Sequence, residues 1–322
     1  MKRISLSCYE NVNFYMQMKK ENSITILRVL CAIQVFLVHF FAGHHLREYM
    51  WLFDVAVPSF ILVSAYLYGL RTVETKFNFE FLKRRWIALS CVFYPYIIIK
   101  YIILIFKLPD NIFFLFKSFV FDIFYLNVFA INGGEWFMQT ILYCYISLFI
   151  CKKFKILDRI FKNKCYTLLM FLLVIACGFI YRGFNLIYIY AYLLVYYNAK
   201  YIQIVGKKYS LAILPILVSL YVLDSLRYMD DFHYGIYLNY MHRCFMGILF
   251  VLLVSQLFAK IKENKIVDYF GLISFEFFLA QSFFAYDYPL YICLPCTLFL
   301  AIIFHYVGIK NKLFLQNVTK NI

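Results

Sequence analysis

The stretch I-T-I-L-R-V-L-C-A-I-Q-V-F-L-V-H-F-F, residues Ile24 to Phe41, decides the fold class of this chain. It is almost unbroken apolar sequence, about as long as a helix that crosses the hydrocarbon core of a membrane. Similar apolar runs recur along the chain, at residues 24–42, 51–70, 87–106, 135–151, 166–181, 185–199, 209–224, 236–259, 269–286 and 289–308. The sequence therefore predicts an all-α protein, a polytopic transmembrane helix bundle of about ten spans.

The composition excludes a soluble globular protein. Of the 322 residues, 64% are hydrophobic and 15% are charged, whereas soluble domains average roughly 45–50% and about 25%. So few charges cannot cover a surface that faces water. Disorder is excluded as well, because disordered segments have low hydrophobicity.

The positions of the basic residues predict the orientation of the bundle. The net charge of +15 would suggest a nucleic-acid partner in a soluble protein. With the N-terminus inside, 24 of the 32 basic residues fall in cytoplasmic segments and five in outer ones. This asymmetry fits the positive-inside rule, so we expect both termini in the cytoplasm, contact with anionic membrane lipids and no nucleic acid.

A further apolar run, residues 112–131, carries Lys117 and Asp122. Counting it as a span would invert every later loop and destroy the charge asymmetry, so we interpret it as re-entrant or interfacial. No internal repeat or linker divides the chain. We expect a cytoplasmic tail at 1–22, one membrane domain at 23–310 and a second cytoplasmic tail at 311–322. The ten cysteines lie mostly in apolar runs, and we expect no metal site.

Ionisable groups inside spans are costly and often functional. Arg28 and His39 are 11 residues apart in the first apolar run, which is close to three helical turns. They therefore share one helix face, about 16 Å apart along the axis. Asp54 lies near the depth of His39, and a histidine–carboxylate pair is suited to proton transfer. The alternatives are that Arg28 reaches the lipid headgroups, His39 lies at the interface and Asp54 is hydrated.

Three further groups are candidates for binding, and two of them lie where predicted helices begin. The basic cluster Lys83-Arg84-Arg85 opens the third span, where it would anchor the helix or bind phosphates. Glu135 and Trp136 follow two glycines at an outer helix start.

Arg243 lies within the eighth predicted span and requires an anionic partner. Glu276, in the ninth predicted span, is one possible partner. A bound ligand is the other, and the sequence leaves both open.

These segments together resemble acyltransferase family 3, a family of integral membrane O-acyltransferases. The matching segments, in the same order along the chain, are R-x10-H at Arg28 and His39, D-V-A-V-P-S-F-I-L-V-S-A-Y-L at Asp54 to Leu67, F-L-K-R-R-W at 81–86, W-F…Y at Trp136 to Tyr145, and G-L-I-S-F-E-F-F-L at Gly271 to Leu279. The chain departs from the family pattern at Ala88, Ile141 and Gln281.

The resemblance implies transfer of an acyl group, usually acetyl, from acyl-CoA to a hydroxyl of a cell-envelope or exported glycan, or of a lipid-linked saccharide. It also implies a multi-pass location in the bacterial inner membrane. Acyl-CoA is then a co-substrate, and no cofactor is bound permanently. The expected site comprises His39 as general base, Asp54 or Glu135 to orient it, Arg28, Arg84 and Arg85 for acyl-CoA, and Glu135, Trp136 and Arg243 for the acceptor.

Two other functions are compatible with ten spans that carry polar groups. One is a transporter or flippase of an envelope precursor, although no paired broken spans in two matching halves support it. The other is a non-catalytic membrane scaffold, which the three departures would favour. His39 discriminates between them, because an acyltransferase requires it and a scaffold should tolerate its loss.

Overall fold

A computed structural model describes residues 22–70, 78–125, 136–181, 185–229, 236–259, 261–262 and 264–320, and these residues contain helices but no strand. The α-helices are α1 Asn22–Gly43, α2 Ala56–Leu70, α3 Phe79–Lys107, α4 Ile112–Ile123, α5 Trp136–Lys153, α6 Lys155–Lys162, α7 Lys164–Tyr181, α8 Asn185–Met229, α9 Ile236–Leu257, α10 Lys265–Ala280 and α11 Leu290–Lys320. Short 3-10 turns lie at Arg47–Leu52, Pro109–Asn111 and Gln281–Phe283.

Among the described residues, six helical segments are long and apolar enough to cross a membrane, and a bent pair would raise the number to seven. The six are Ser23–Gly43, Tyr49–Leu70, Phe79–Lys107, Asn239–Leu257, Lys265–Phe283 and Leu290–Leu313. The chain is therefore an all-helical bundle with the character of a multi-pass membrane protein. The number ten and the positions of the termini stay predictions.

Four of the ten predicted runs are not among the six, namely 135–151 in α5, 166–181 in α7, and 185–199 and 209–224 in α8. Helix α5 carries Gln139 and Thr140, which are buried among other helices and do not face lipid. Helix α8 combines two predicted spans into one element that bends at Tyr209, where its two arms meet at 99°. Pro215 lies in the second arm and removes a backbone donor from the helix close to the bend. Helix α11 continues to Lys320, so most of the expected tail 311–322 is helical.

The long helices form a closed ring of neighbours. In order around the ring, α1 contacts α2, α2 contacts α8, and the sequence continues through α5, α3, α11 and α10 back to α1. Helix α9 packs against α1, α2 and α8. Side chains that point inward from these helices are therefore shielded from lipid, and this is where ionisable groups are least costly.

Three phenylalanines from helices that are not neighbours meet inside the ring. Phe60 of α2 lies 5.7 Å from Phe137 of α5 and 6.1 Å from Phe278 of α10, measured between ring centroids. Phe137 and Phe278 are 4.3 Å apart. We call these three rings the phenylalanine triad; they fill the interior near the end of the ring at which Trp136 begins α5.

The segment that we interpreted as re-entrant or interfacial contains α4, which has 12 residues. A helix of that length is about 18 Å long, shorter than the roughly 30 Å hydrocarbon core. Asp122 is buried at its end and accepts a hydrogen bond of 2.8 Å from the Tyr101 hydroxyl, while Lys117 is exposed. This anchors α4 against α3 as a separate short helix.

Asp158, on the short helix α6 outside the candidate spans, holds three elements together. Its carboxylate accepts hydrogen bonds from the ammonium groups of Lys152 of α5 at 2.7 Å and Lys162 at 2.5 Å, and from the Tyr197 hydroxyl of α8 at 2.9 Å. Partial burial alone would raise the pKa of Asp158, but the hydrogen bonds from these three groups outweigh it and lower the pKa to about 2. The ionised form is therefore the one that stabilises this junction.

We expect Asp158→Asn to lower the free energy of unfolding by about 2 kcal/mol at neutral pH. Because folding lowers this pKa, the contribution is fully present above the unfolded value near 4 and disappears as pH falls through about 2. Thermal unfolding of the purified protein at several pH values measures the difference, which should shrink on acidification. Asp110→Asn, at an exposed carboxylate between α3 and α4, is the control and should leave the midpoint unchanged.

Candidate functional site

Helix α1 carries both Arg28 and His39, as the sequence predicts. The His39 ring meets Tyr286, in the turn between α10 and α11, through a hydrogen bond between its Nδ1 and the tyrosine hydroxyl. The two rings are 5.2 Å apart in an edge-to-face arrangement. A phenol hydroxyl at Nδ1 fixes the orientation of the imidazole, which a general base requires.

Gly43 explains how Tyr286 reaches His39. A Cβ atom at position 43 would lie 2.4 Å from the Tyr286 carbonyl oxygen, closer than real side chains come. Only glycine therefore lets the turn before α11 pack directly on the last turn of α1. The partner of His39 thus depends on a contact between two segments that are far apart in the sequence.

Asp54 forms an ion pair with Arg243 of α9. Both side chains are largely buried, with 7% of Asp54 and 19% of Arg243 exposed. The structure thus gives Arg243 a different carboxylate from Glu276, the possible partner that the sequence indicated. The described partner of His39 is Tyr286 and that of Asp54 is Arg243, and the predicted pairing of His39 with Asp54 stays a prediction.

Aromatic side chains extend this ion pair to Trp136. The Arg243 guanidinium lies 6.0 Å from the Tyr240 ring, and Tyr240 is 6.1 Å from Tyr188 of α8. Trp136 stacks on Tyr188 at 5.8 Å with an interplanar angle of 27°. We call Asp54, Arg243, Tyr240, Tyr188 and Trp136 the Asp54 cluster. It brings together three of the predicted site residues and combines charge with flat aromatic surface.

A second cluster lies further along the interior, around Glu276 of α10. Glu276 is buried and accepts a 2.9 Å hydrogen bond from Nδ1 of His305 on α11. Arg28 interacts electrostatically with Glu276 and with Tyr145 of α5. We call Arg28, Glu276, His305 and Tyr145 the Glu276 cluster. It draws on four helices, so it depends on the complete bundle.

The predicted basic cluster divides into two parts. The Arg85 guanidinium lies 5.1 Å from the Tyr68 ring, and Tyr68 packs edge-on against Tyr145 at 6.0 Å. Arg85 is therefore linked through Tyr68 to Tyr145 of the Glu276 cluster. Arg84 is exposed and donates to the Glu80 carbonyl at 3.3 Å. The structure thus places Arg85 against aromatic rings of the bundle and Arg84 at the surface.

Glu135 lies outside the described residues. Sequence reasoning missed Tyr286 and His305, the partners of His39 and Glu276. His305 could have been found, because it is an ionisable residue inside the last apolar run and such residues indicate function by default. Nothing in the sequence distinguishes Tyr286 as a partner of His39, because the chain has 30 tyrosines.

Comparison with known proteins found no match to a protein-family model, to a curated protein or to a solved structure.

Proposed function

We propose that the chain is a membrane O-acyltransferase of the bacterial cytoplasmic membrane. It would move an acyl group, acetyl in the simplest case, from acyl-CoA to a hydroxyl of a cell-envelope or exported glycan. The observation that carries the proposal is that α1 bears both Arg28 and His39, and that Tyr286 holds the His39 ring through Nδ1. A donor-binding region and a base are thereby connected within one ring of helices.

The donor would enter at the end of the ring where α1 and α3 begin. Acyl-CoA carries several phosphate charges, and arginine side chains suit phosphates because of their forked donors. Arg85 is the inward cation there, and the exposed Arg84 would meet phosphates nearer to water. Arg28 and His39 lie about 16 Å apart along α1, and the extended pantetheine arm would span this distance.

The acceptor would bind at the Asp54 cluster. Trp136 is only partly buried and is braced by the buried Tyr188 on which it stacks, so its ring would pack on the apolar face of a sugar, and Arg243 would donate to sugar oxygens. Asp54 neutralises Arg243, so its proposed role changes from orienting His39 to holding this cation. Tyr286 takes over the orienting role.

The chemistry requires one base. His39 accepts the proton of the acceptor hydroxyl while that oxygen attacks the thioester carbonyl. The carbon–oxygen bond forms, the carbon–sulfur bond breaks, and the proton passes from His39 to the departing thiolate. Acceptor ester and free CoA thiol are the products, and no other reactant is needed.

One observation favours the alternative of a transporter. The arms of α8 meet at 99°, and broken helices are typical of transporter binding sites. A transporter would move an envelope precursor across the membrane without consuming acyl-CoA, so measurement of donor consumption separates the two functions.

The proposed function is tested with radiolabelled acetyl-CoA and membranes that contain the wild-type chain, with envelope extract as acceptor. We expect label in the glycan fraction together with release of free CoA, and neither in membranes that lack the chain. Absence of transfer across several acyl-CoA donors and several envelope extracts would overturn the acyltransferase proposal. Uptake of a labelled glycan precursor without CoA release would favour the transporter.

A further inference from the structure

The Glu276 cluster contains an unmet hydrogen-bonding requirement. Oε1 of Glu276 is held by His305, whereas Oε2 is buried and has no hydrogen-bond partner among the described residues. The residue as a whole is 7% exposed. A buried carboxylate oxygen without a donor costs free energy, so this oxygen indicates a place for an external N–H or O–H group.

Arg28 supplies hydrogen-bond donors that complement this acceptor. Its guanidinium interacts with Glu276 electrostatically, yet within the described part of the chain no hydrogen bond or close ion pair joins the two. An acceptor on α10 and donors on α1 are thus near each other without contact. A group between them that carries a donor on one side and an acceptor on the other would satisfy both at once.

The charges of the cluster decide which group fits. The negative carboxylate offsets the positive arginine, so the pair presents little net charge to a ligand. A phosphate at Oε2 would be repelled by the carboxylate. A neutral secondary amide fits better, because its N–H and C=O point in opposite directions. The pantetheine arm of acyl-CoA contains two such amides between its phosphates and its thioester.

We propose that Glu276 and Arg28 bind one amide of the pantetheine arm. Glu276 Oε2 accepts from the amide N–H, Arg28 donates to the amide carbonyl, and His305 positions the carboxylate through Oε1. The inference rests on the proposed acyltransferase function and refines it. In this refinement Arg28 binds the pantetheine arm of the donor, and the basic residues at the start of α3 bind its phosphates.

The test removes one ligand hydrogen-bond donor at a time. Two acetyl-CoA analogues are made, each with one pantetheine amide N–H replaced by an ester oxygen, and they compete with labelled acetyl-CoA for the purified full chain in nanodiscs. Against the wild type we expect one analogue to bind about tenfold or more weakly than acetyl-CoA, because hydrogen bonds to charged groups are strong. The other analogue should bind within about twofold.

Glu276→Leu should abolish this discrimination, so that acetyl-CoA and both analogues compete within about threefold of one another. Asp287→Asn, at an exposed carboxylate in the turn before α11, is the control and should retain the wild-type pattern. The comparison of analogues on wild-type protein remains decisive if the leucine variant does not fold.

Different failures have different meanings. Equal competition by acetyl-CoA and both analogues on wild type overturns the amide site, while labelled acetyl-CoA that still binds and reacts leaves the proposed function standing. Discrimination that persists in a folded Glu276→Leu variant also overturns the amide site. A wild-type chain that neither binds nor consumes acetyl-CoA overturns the acyltransferase itself, and the amide site with it.

Discussion

Replacement of His39 by alanine is expected to lower acetyl transfer by about 10²–10⁴-fold, the usual contribution of a positioned general base. The ring is held at Nδ1 by Tyr286, so Tyr286→Phe should lower the rate as well, by less, because the imidazole stays in place and loses its orienting bond. Both rates are measured as label transferred per unit of folded protein, at saturating acetyl-CoA. Donor affinity should change little in either variant.

His45→Asn is the matched control for the histidine variant. His45 is an exposed histidine just beyond α1, and asparagine tolerates its left-handed backbone, with φ of 59°. Transfer should stay near the wild-type rate. If His39→Ala retained wild-type transfer at equal protein level, His39 would not be the base and the reaction would have to occur elsewhere in the ring.

The buried ion pair predicts the largest effect on stability. Arg243→Ala removes the ion-pair partner that Asp54 has in the bundle interior, and breaking a buried pair in this way costs about 3–5 kcal/mol. We expect a lower thermal unfolding midpoint and less folded protein in membranes. The double variant Asp54→Asn with Arg243→Gln removes both charges and should recover much of the loss, as read from unfolding of purified protein.

The control is the exposed pair of Lys107 and Asp287, at 3.5 Å with 62% and 58% of the side chains exposed. Pairs of this kind contribute about 0–1 kcal/mol, so Lys107→Ala should hardly change the midpoint. Equal losses from Arg243→Ala and Lys107→Ala would show that Asp54 is not shielded from water. Failure of the double variant to recover would assign the loss to packing and not to charge.

Helix positions could be predicted from this sequence, whereas side-chain partners could not. Helices occupy the apolar runs, since apolar runs of this length have few other folded states available in lipid. Because Arg28 and His39 lie in one such run, 11 residues apart, the sequence predicted that they share one helix. Helical periodicity gives the face of a residue but not its neighbour on another helix, so the pairing of Asp54 with Arg243 was not predictable.

The count of spans shows a second limit. Apolar length measures what a helix needs when lipid surrounds it, and α5 is surrounded by other helices, so Gln139 and Thr140 are tolerated there. Tyr286 shows the third limit. Its contact with His39 depends on the close approach of Gly43 to a distant turn, and no local pattern encodes such an approach.

The phenylalanine triad fills the interior of the ring with apolar surface. Phe60, Phe137 and Phe278 offer an ion neither charge nor hydrogen bond, and narrow apolar passages lose their water. A protein that spans a membrane leaks ions only along a hydrated path. We therefore expect the triad to seal the bundle electrically, so that a cell could hold many copies of this protein and keep its membrane potential.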